Sequence, residues 1–355
     1  MRNTSRRLWA IGSVALALAL VGVAQAADEF DTRPTPGVVP ALPTEAVGVN
    51  MHPERYPDPD AEMHFKMARE LGITQARLAP EWSAIQPTPD TWNWEVTDRV
   101  VRMARQYDVK LLLVLCYNTT WNASVGTDTK SMPRDLQAWG TFCRKMAERY
   151  KGDILWWEVW NEQNSTGWLL GPYTDTAAGK DYHDQRWSDY GKLLKIAYEN
   201  LKAVNPENVV VLGGITHDSD DWWKDLEAYY RVGAVQYCDV VGLHPYPGWA
   251  DPLDTAWYPR YTDEMLAVMA RHGDKDKPVW ITETGYLVSD QGIPYVTEAQ
   301  RAQWLADLFL VPLSRPQVQK VFFYALVDDV QPMGLCAADW SLHPTGERMK
   351  QLMGR

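Results

Sequence analysis

Two apolar runs, Lys110-Leu-Leu-Leu-Val-Leu-Cys116 and Ile154-Leu-Trp-Trp-Glu-Val-Trp-Asn-Glu162, bracket a stretch from Pro133 to Tyr150 in which Leu136, Trp139, Cys143, Met146 and Tyr150 fall on one helical stripe. Each run is apolar on successive residues, the pattern of a strand buried on both faces and therefore of a parallel sheet. Parallel neighbours need a long crossover, most often a helix, so the segment reads as one βαβ unit. The alternation continues in both directions. Strands are predicted at Ala46–Met51, Gln75–Ala79, Lys110–Cys116, Ile154–Trp160, Val209–Gly213, Val240–Leu243, Val279–Thr282 and Val321–Leu326. Amphipathic helices fall between them, among others at Ala61–Leu71, Val96–Tyr107, Pro133–Tyr150, Trp187–Val204 and Glu298–Leu308, with Gly72 as a stop after the first. No linker and no Gly-rich phosphate loop interrupts this order. It predicts an α/β fold, a single-domain (β/α)8 TIM barrel, rather than an open doubly wound sheet.

The 355 residues, 46% hydrophobic and 23% charged, suit one such barrel. Residues 1–26 carry Arg2, Arg6 and Arg7, an apolar stretch from Leu8 to Val23 and Ala24-Gln25-Ala26, which reads as a signal peptide cut before Ala27. A Pro-rich lead over 27–44 and the barrel over 45–355 follow. The expected product is exported, periplasmic or extracellular, with no membrane span in the mature chain. The net charge of −11 disfavours nucleic acid and anionic membrane surfaces as partners. The 18 Trp and 17 Tyr against 6 Phe favour a sugar ligand, because the C–H faces of sugars pack on aromatics whose polar edges tolerate water. The four cysteines show no CxxC spacing and are expected to be buried thiols with no required disulfide.

In a closed barrel function sits on the loops after the strands. Three of these are long, Tyr117–Met132, Gln163–Arg186 and Tyr246–Tyr261, and hold Trp121, Trp168, Tyr173, Tyr182, Trp249, Trp257 and Tyr258, which are expected to line a groove. Strand four runs into Asn161-Glu162, and strand seven, Pro278-Val-Trp-Ile-Thr-Glu-Thr-Gly285, runs into Glu283. Two carboxyl groups on one catalytic rim are what glycosidic cleavage needs, one to protonate the leaving oxygen and one to attack or to assist water at the anomeric carbon.

The WNE ending of strand four and the ITETG ending of strand seven resemble glycoside hydrolase clan A, and the similarity runs from Gly48-Val-Asn-Met-His52 to the last helix. The resemblance implies Glu162 as acid/base, Glu283 as nucleophile and Asn161 as a contact to the sugar 2-hydroxyl. Arg77 resembles the clan's buried arginine beside the nucleophile, and His244-Pro245-Tyr246 its strand-six element. The chain departs from the clan where strand three ends Cys116-Tyr117-Asn118 and where strand eight reads Phe322-Phe-Tyr-Ala-Leu-Val-Asp-Asp329. That leaves the sugar platform to Tyr324, Leu326 or Trp340, with Trp340 favoured as the largest stacking surface. Tyr117, Asn118, Trp168 and Trp249 complete the expected substrate contacts. Family 39 and its relatives look most similar, with family 5 as a neighbour. The implied reaction is retaining hydrolysis of a β-linked oligo- or polysaccharide, a bacterial exopolysaccharide or a plant-type β-glycan, by double displacement. The long aromatic loops favour endo action. No cofactor or metal is expected, since strand one lacks a His-x-His pair and the seven histidines are scattered. The alternative of a non-catalytic glycan-binding barrel is weakened by the presence of both carboxylates.

Overall fold

A computed structural model describes residues 41–355 except 166, 172–173, 176–179, 182, 218–221, 249–250, 253–256, 290–294 and 330. The expected signal peptide, most of the Pro-rich lead, and Tyr173, Tyr182 and Trp249 lie outside the described residues. The barrel strands are β1 Val47–Asn50, β2 Gln75–Leu78, β3 Lys110–Leu115, β4 Trp156–Val159, β5 Val209–Thr216, β6 Val240–His244, β7 Val279–Thr284 and β8 Val318–Phe323. Every neighbouring pair is parallel, and the sheet closes where Val47 of β1 lies opposite Val321 of β8. This is the (β/α)8 barrel that the alternation implied.

The successive apolar residues of the strands are explained by two separate cores. Inward-facing Leu112, Val211, Val240, Trp280 and Phe322 fill the barrel below the site. The residues between them, such as Leu113, Leu115 and Val241, join a larger core between the strands and the helices. Burying each such side chain contributes about 1.5–3 kcal/mol. The helices that cover the barrel include α1 Asp58–Glu70, α2 Trp82–Ile85, α3 Glu95–Gln106, α4 Leu136–Arg149 and α5 His183–Val204. They continue with α6 Trp223–Arg231, α7 Trp257–Arg271, α8 Glu298–Leu313 and α9 Pro344–Leu352. Helix α4 begins at Leu136 rather than at Pro133, because the Asp135 side chain accepts from the backbone N–H groups of Gln137 and Ala138. A capping box between Thr297 and Gln300 fixes the start of α8.

Three sequence expectations need correction. Trp257 and Tyr258 are not loop aromatics: they open α7, where Tyr258 is buried with its hydroxyl donating to Leu308 O at 2.8 Å. Strand β8 begins at Val318, three residues before the expected start, and β5 runs on through Gly213-Gly214 to Thr216. All four cysteines are buried free thiols. Among the described residues no helix is long and apolar enough to cross a membrane.

Candidate active site

Above the apolar floor the inward positions of the strands turn polar. Arg77 on β2 is the centre of this layer, 4% exposed, with its guanidinium forking across the barrel. Nη1 donates to Glu283 Oε1 at 2.6 Å and to Asn50 Oδ1 at 2.9 Å. Nη2 donates to Asn161 Oδ1 at 2.8 Å and to Glu158 Oε1 at 3.2 Å, and Nε donates to Glu158 Oε2 at 2.5 Å. Burial works against the Arg77 charge, but Glu158 and Glu283 outweigh it and raise the guanidinium further above its ordinary range. Tyr246 donates to Glu283 Oε2 at 2.8 Å. Burial alone would raise the Glu283 carboxyl, yet His244, Arg77 and the Tyr246 hydroxyl together hold it below the usual carboxylate range. The Glu283 carboxylate is therefore kept ionised and fixed. The Tyr246 phenol is pushed far up by burial and by Glu283 and Glu162, so it stays a donor.

Glu162 reaches the same space by an unusual backbone. Trp160 and Glu162 have φ of 68° and 49°, the left-handed region that side-chain-bearing residues rarely adopt. The turn breaks the alternation of β4. Trp160, which would otherwise share the inward face of Glu158, packs outward against Trp139 of α4 with ring centroids 6.1 Å apart. Its ring nitrogen donates to Trp168 O at 2.7 Å, which ties the following loop to the strand end. Glu162 Oε1 then meets His244 Nδ1 at 3.0 Å. One oxygen of Glu162, one of Glu283 and a ring nitrogen of His244 lie within 4.8 Å of one another. Carboxyl oxygens within 4.8 Å of each other accord with the ~5–5.5 Å carboxyl spacing of retaining enzymes rather than the ~6.5–9.5 Å that leaves room for a water in inverting ones.

Both carboxyl groups open into a cavity of about 800 Å³ whose wall includes Arg77, Tyr117, Asn161, Trp168, Tyr246, Tyr295 and Tyr324. Tyr117 stacks on Trp168 at 5.8 Å between centroids. Lys130 Nζ sits 3.5 Å above the Trp168 ring centroid. Of the expected substrate contacts, Arg77, Asn161, Tyr117, Trp168 and Tyr246 line this cavity. His244 is not in the cavity wall: it is completely buried behind Glu162 and Glu283, 3.0 Å and 3.8 Å from its Nδ1. Two expected contacts are placed elsewhere. Asn118 is buried under its loop, with Nδ2 donating to Asn122 O and Ser131 O, both at 3.1 Å. Trp340 meets His64 edge-on at 4.8 Å, away from the cavity, because its loop folds back over α1. Tyr324, the smaller of the aromatic alternatives, takes the wall position at the end of β8. Trp121 also turns inward, against Trp82 at 5.8 Å. The loop aromatics thus divide between lining the cavity and holding the loops.

Sequence reading missed Glu158 and Thr282. Glu158 is wholly buried, and besides Arg77 its Oε1 accepts from Thr282 Oγ1 and from Gly214 N, each at 3.0 Å. A single Glu inside an otherwise apolar strand, four residues before Glu162 and so of the same parity, was the available signal. Gly213, read as the strand's last residue, and Gly214 after it are there for space. A Cβ on Gly213 would meet Gln163 Oε1 at 2.3 Å, and one on Gly214 would meet His244 Nε2 at 2.0 Å.

The sequence model of the group described as Glycosyl hydrolase family 10 matches residues 44–224, just over half of the chain. Endo-1,4-beta-xylanase A of Halalkalibacterium halodurans is 22% identical over 285 residues, which cover 72% of this chain and 67% of that protein. Endo-1,4-beta-xylanase C of Paenibacillus barcinonensis is 21% identical over 304 residues, 77% of this chain but 26% of that larger protein. A family 39 glycoside hydrolase from the gut symbiont Bacteroides cellulosilyticus superposes with a TM-score of 0.65 at 22% identity, over 89% of this chain and 65% of its own. The chain therefore spans two thirds or less of the length of these relatives. The expected likeness to family 39 is met at the level of the fold. By the match of its sequence the chain belongs to glycosyl hydrolase family 10, and with it to the clan A glycoside hydrolases.

Proposed function

We propose that this glycosidase hydrolyses a β-linked polysaccharide with retention of configuration, by double displacement. The observation that carries the reading is the approach of the Glu162 and Glu283 carboxyl oxygens to within 4.8 Å in one cavity. In the first step Glu162 gives its proton to the glycosidic oxygen while a Glu283 oxygen bonds to the anomeric carbon and the aglycone leaves with the bonding pair. In the second, Glu162 takes a proton from water as the water oxygen displaces Glu283. Arg77 and Tyr246 fix the attacking carboxylate, and Asn161, oriented by Arg77, meets the sugar's 2-hydroxyl. Tyr324 and Trp168 supply ring faces for sugar residues on the cavity wall.

The curated relatives are named endo-1,4-beta-xylanases, which supports an endo action and makes a β-1,4-xylan the first polymer to test. The basic and apolar N-terminal segment supports export, so the substrate is a glycan met outside the cytoplasm. The experiment is digestion of a panel of xylan, β-glucan, β-mannan and bacterial exopolysaccharide, followed by proton NMR of the first product. The β anomer appearing first, within a ladder of oligomers, is the expected result. An α anomer appearing first ends the retaining reading, monosaccharide alone ends the endo reading, and silence on all four polymers ends both.

A further inference from the structure

Beneath the reacting carboxyls a chain of hydrogen bonds leads away from Glu162 into the barrel. His244 Nδ1 meets Glu162 Oε1 at 3.0 Å, and its Nε2 meets Thr282 Oγ1 at 2.9 Å. The ring lies against the bare Cα of Gly214, where an added Cβ would come within 2.0 Å of Nε2. Thr282 Oγ1 in turn lies 3.0 Å from Glu158 Oε1. That oxygen already receives N–H groups from Gly214 and Arg77, so it is an acceptor, and the Thr282 proton points to it. The Thr282 lone pair is then what faces His244, and Nε2 must carry a hydrogen.

We infer that Glu158, acting through Thr282, holds His244 as its Nε2–H tautomer, so that Nδ1 and Glu162 keep one transferable proton between them. The inference rests on Glu162 being the acid/base. With the proton on Glu162, its O–H donates to Nδ1; with the proton on the ring, Nδ1–H donates to Glu162. Either arrangement satisfies both groups without movement. When the proton passes to the leaving oxygen and the glycosidic C–O bond breaks, a carboxylate is left facing a nitrogen lone pair. That contact is relieved when the incoming water returns a proton to the pair, as its oxygen bonds to the anomeric carbon and the bond to Glu283 breaks. His244, Thr282 and Glu158 are positioning residues that make Glu162 first a willing acid and then a willing base.

Among the described residues the groups facing the imidazole are few. Strand β4 presents Glu158, 4.0 Å from Nε2, the turn beyond it presents Glu162, and β7 presents Thr282 and Glu283, whose Oε2 is 3.8 Å from Nδ1. Strand β5 presents the Gly214 backbone, and Tyr246, beyond the end of β6, directs its hydroxyl to Glu283 rather than to the ring.

The test is Thr282→Val in the full protein, with Thr282→Ser as the conservative variant. Valine fills the space but cannot accept from Nε2. The neutral ring then moves its hydrogen to Nδ1 and donates to an ionised Glu162, which stabilises the form that cannot act as acid. ¹⁵N NMR of the histidines, with His244 assigned by comparison with His244→Gln, reads this without any substrate. The expected result is Nε2–H in the wild type and in Thr282→Ser, and Nδ1–H in Thr282→Val. In kinetics, Thr282→Val should lose about tenfold more kcat/KM on an aryl glycoside with a poor leaving group than on a dinitrophenyl glycoside. The alkaline limb of its pH profile should also move to lower pH, and Thr282→Ser should restore both. One tautomer in all three proteins overturns the inference, as does an equal loss on both substrates with an unmoved pH profile. If the wild type hydrolyses no β-glycoside but the tautomer changes as stated, the proposed activity fails and the relay stands. A melting curve of each variant shows that it is folded.

Discussion

Replacing Arg77 by Met removes the cation that bridges the buried carboxyl groups of Glu158 and Glu283. The side chains of Arg77 and Glu158 are 5% and 0% exposed, so the pair is out of reach of solvent screening. Breaking such a pair by deleting one partner typically costs about 3–5 kcal/mol, because the other charge is left uncompensated. Asn50 and Asn161 also lose a donor each, at about 1 kcal/mol apiece. Protonation of Glu158 would cap the total, so Arg77→Met should lose about 4 kcal/mol in urea unfolding followed by tryptophan fluorescence. The double variant Arg77→Met/Glu158→Met removes both partners and should recover to within about 1–2 kcal/mol of the wild type. Its activity should not recover. Glu283 loses the donor at 2.6 Å in both variants, and kcat/KM should fall about 10²-fold or more in each. A loss under about 1 kcal/mol in Arg77→Met would show that the pair is far better solvated than its burial implies. A double variant as unstable as the single one would show that the cost lies in the packing of Arg77, not in an abandoned charge.

Glu162→Gln should still release a dinitrophenol in a burst followed by a slow steady rate, and azide should speed turnover to give a glycosyl azide of the substrate's own configuration; equal losses for all leaving groups would contradict the acid/base role. Tyr246→Phe removes one of the groups that hold Glu283 below the ordinary carboxylate range, so the carboxyl should protonate at higher pH. The acid limb of kcat/KM should then move up by about one pH unit, and an unmoved limb would refute the contact. His64, buried against Trp340, is lowered by burial from 6.5 to about 4, so the unfolded chain takes up its proton first as the pH falls. Stability that is complete above about pH 6.5 should be lost between there and pH 4, by up to about 3 kcal/mol, and His64→Leu should flatten that loss in urea midpoints compared at pH 7 and pH 4.5.

The order of the barrel was readable because each strand is apolar on both faces and each crossover has its own stripe. The rim positions Glu162 and Glu283 were readable because each follows such a run directly. Boundaries failed where a residue has two uses. The strand was expected to stop at Gly213, whereas Gly213 and Gly214 are both strand residues, without side chains because Gln163 and His244 occupy that space. Trp257 and Tyr258 looked like groove aromatics, but they open helix α7, which buries Tyr258 in the core and packs the half-buried Trp257 on Tyr261 at 5.8 Å. Trp340 was favoured for its size, yet position decides: Tyr324 ends β8 at the rim, while Trp340 is carried back onto His64. Glu158 escaped notice because a charged residue inside an apolar strand has no visible partner until β2 brings Arg77 across the barrel.

The central claim is that Glu283 forms a covalent bond to the sugar while Glu162 moves the proton. The most direct measurement is mass spectrometry of peptides after incubation with a 2-deoxy-2-fluoro dinitrophenyl glycoside of the sugar that the polymer panel identifies. Such a reagent glycosylates a nucleophile and then turns over slowly. The account predicts one added glycosyl group, on the peptide carrying Glu283, and none in Glu283→Gln. Labelling of Glu162 or of another carboxylate, or full inactivation without any added mass, would contradict it.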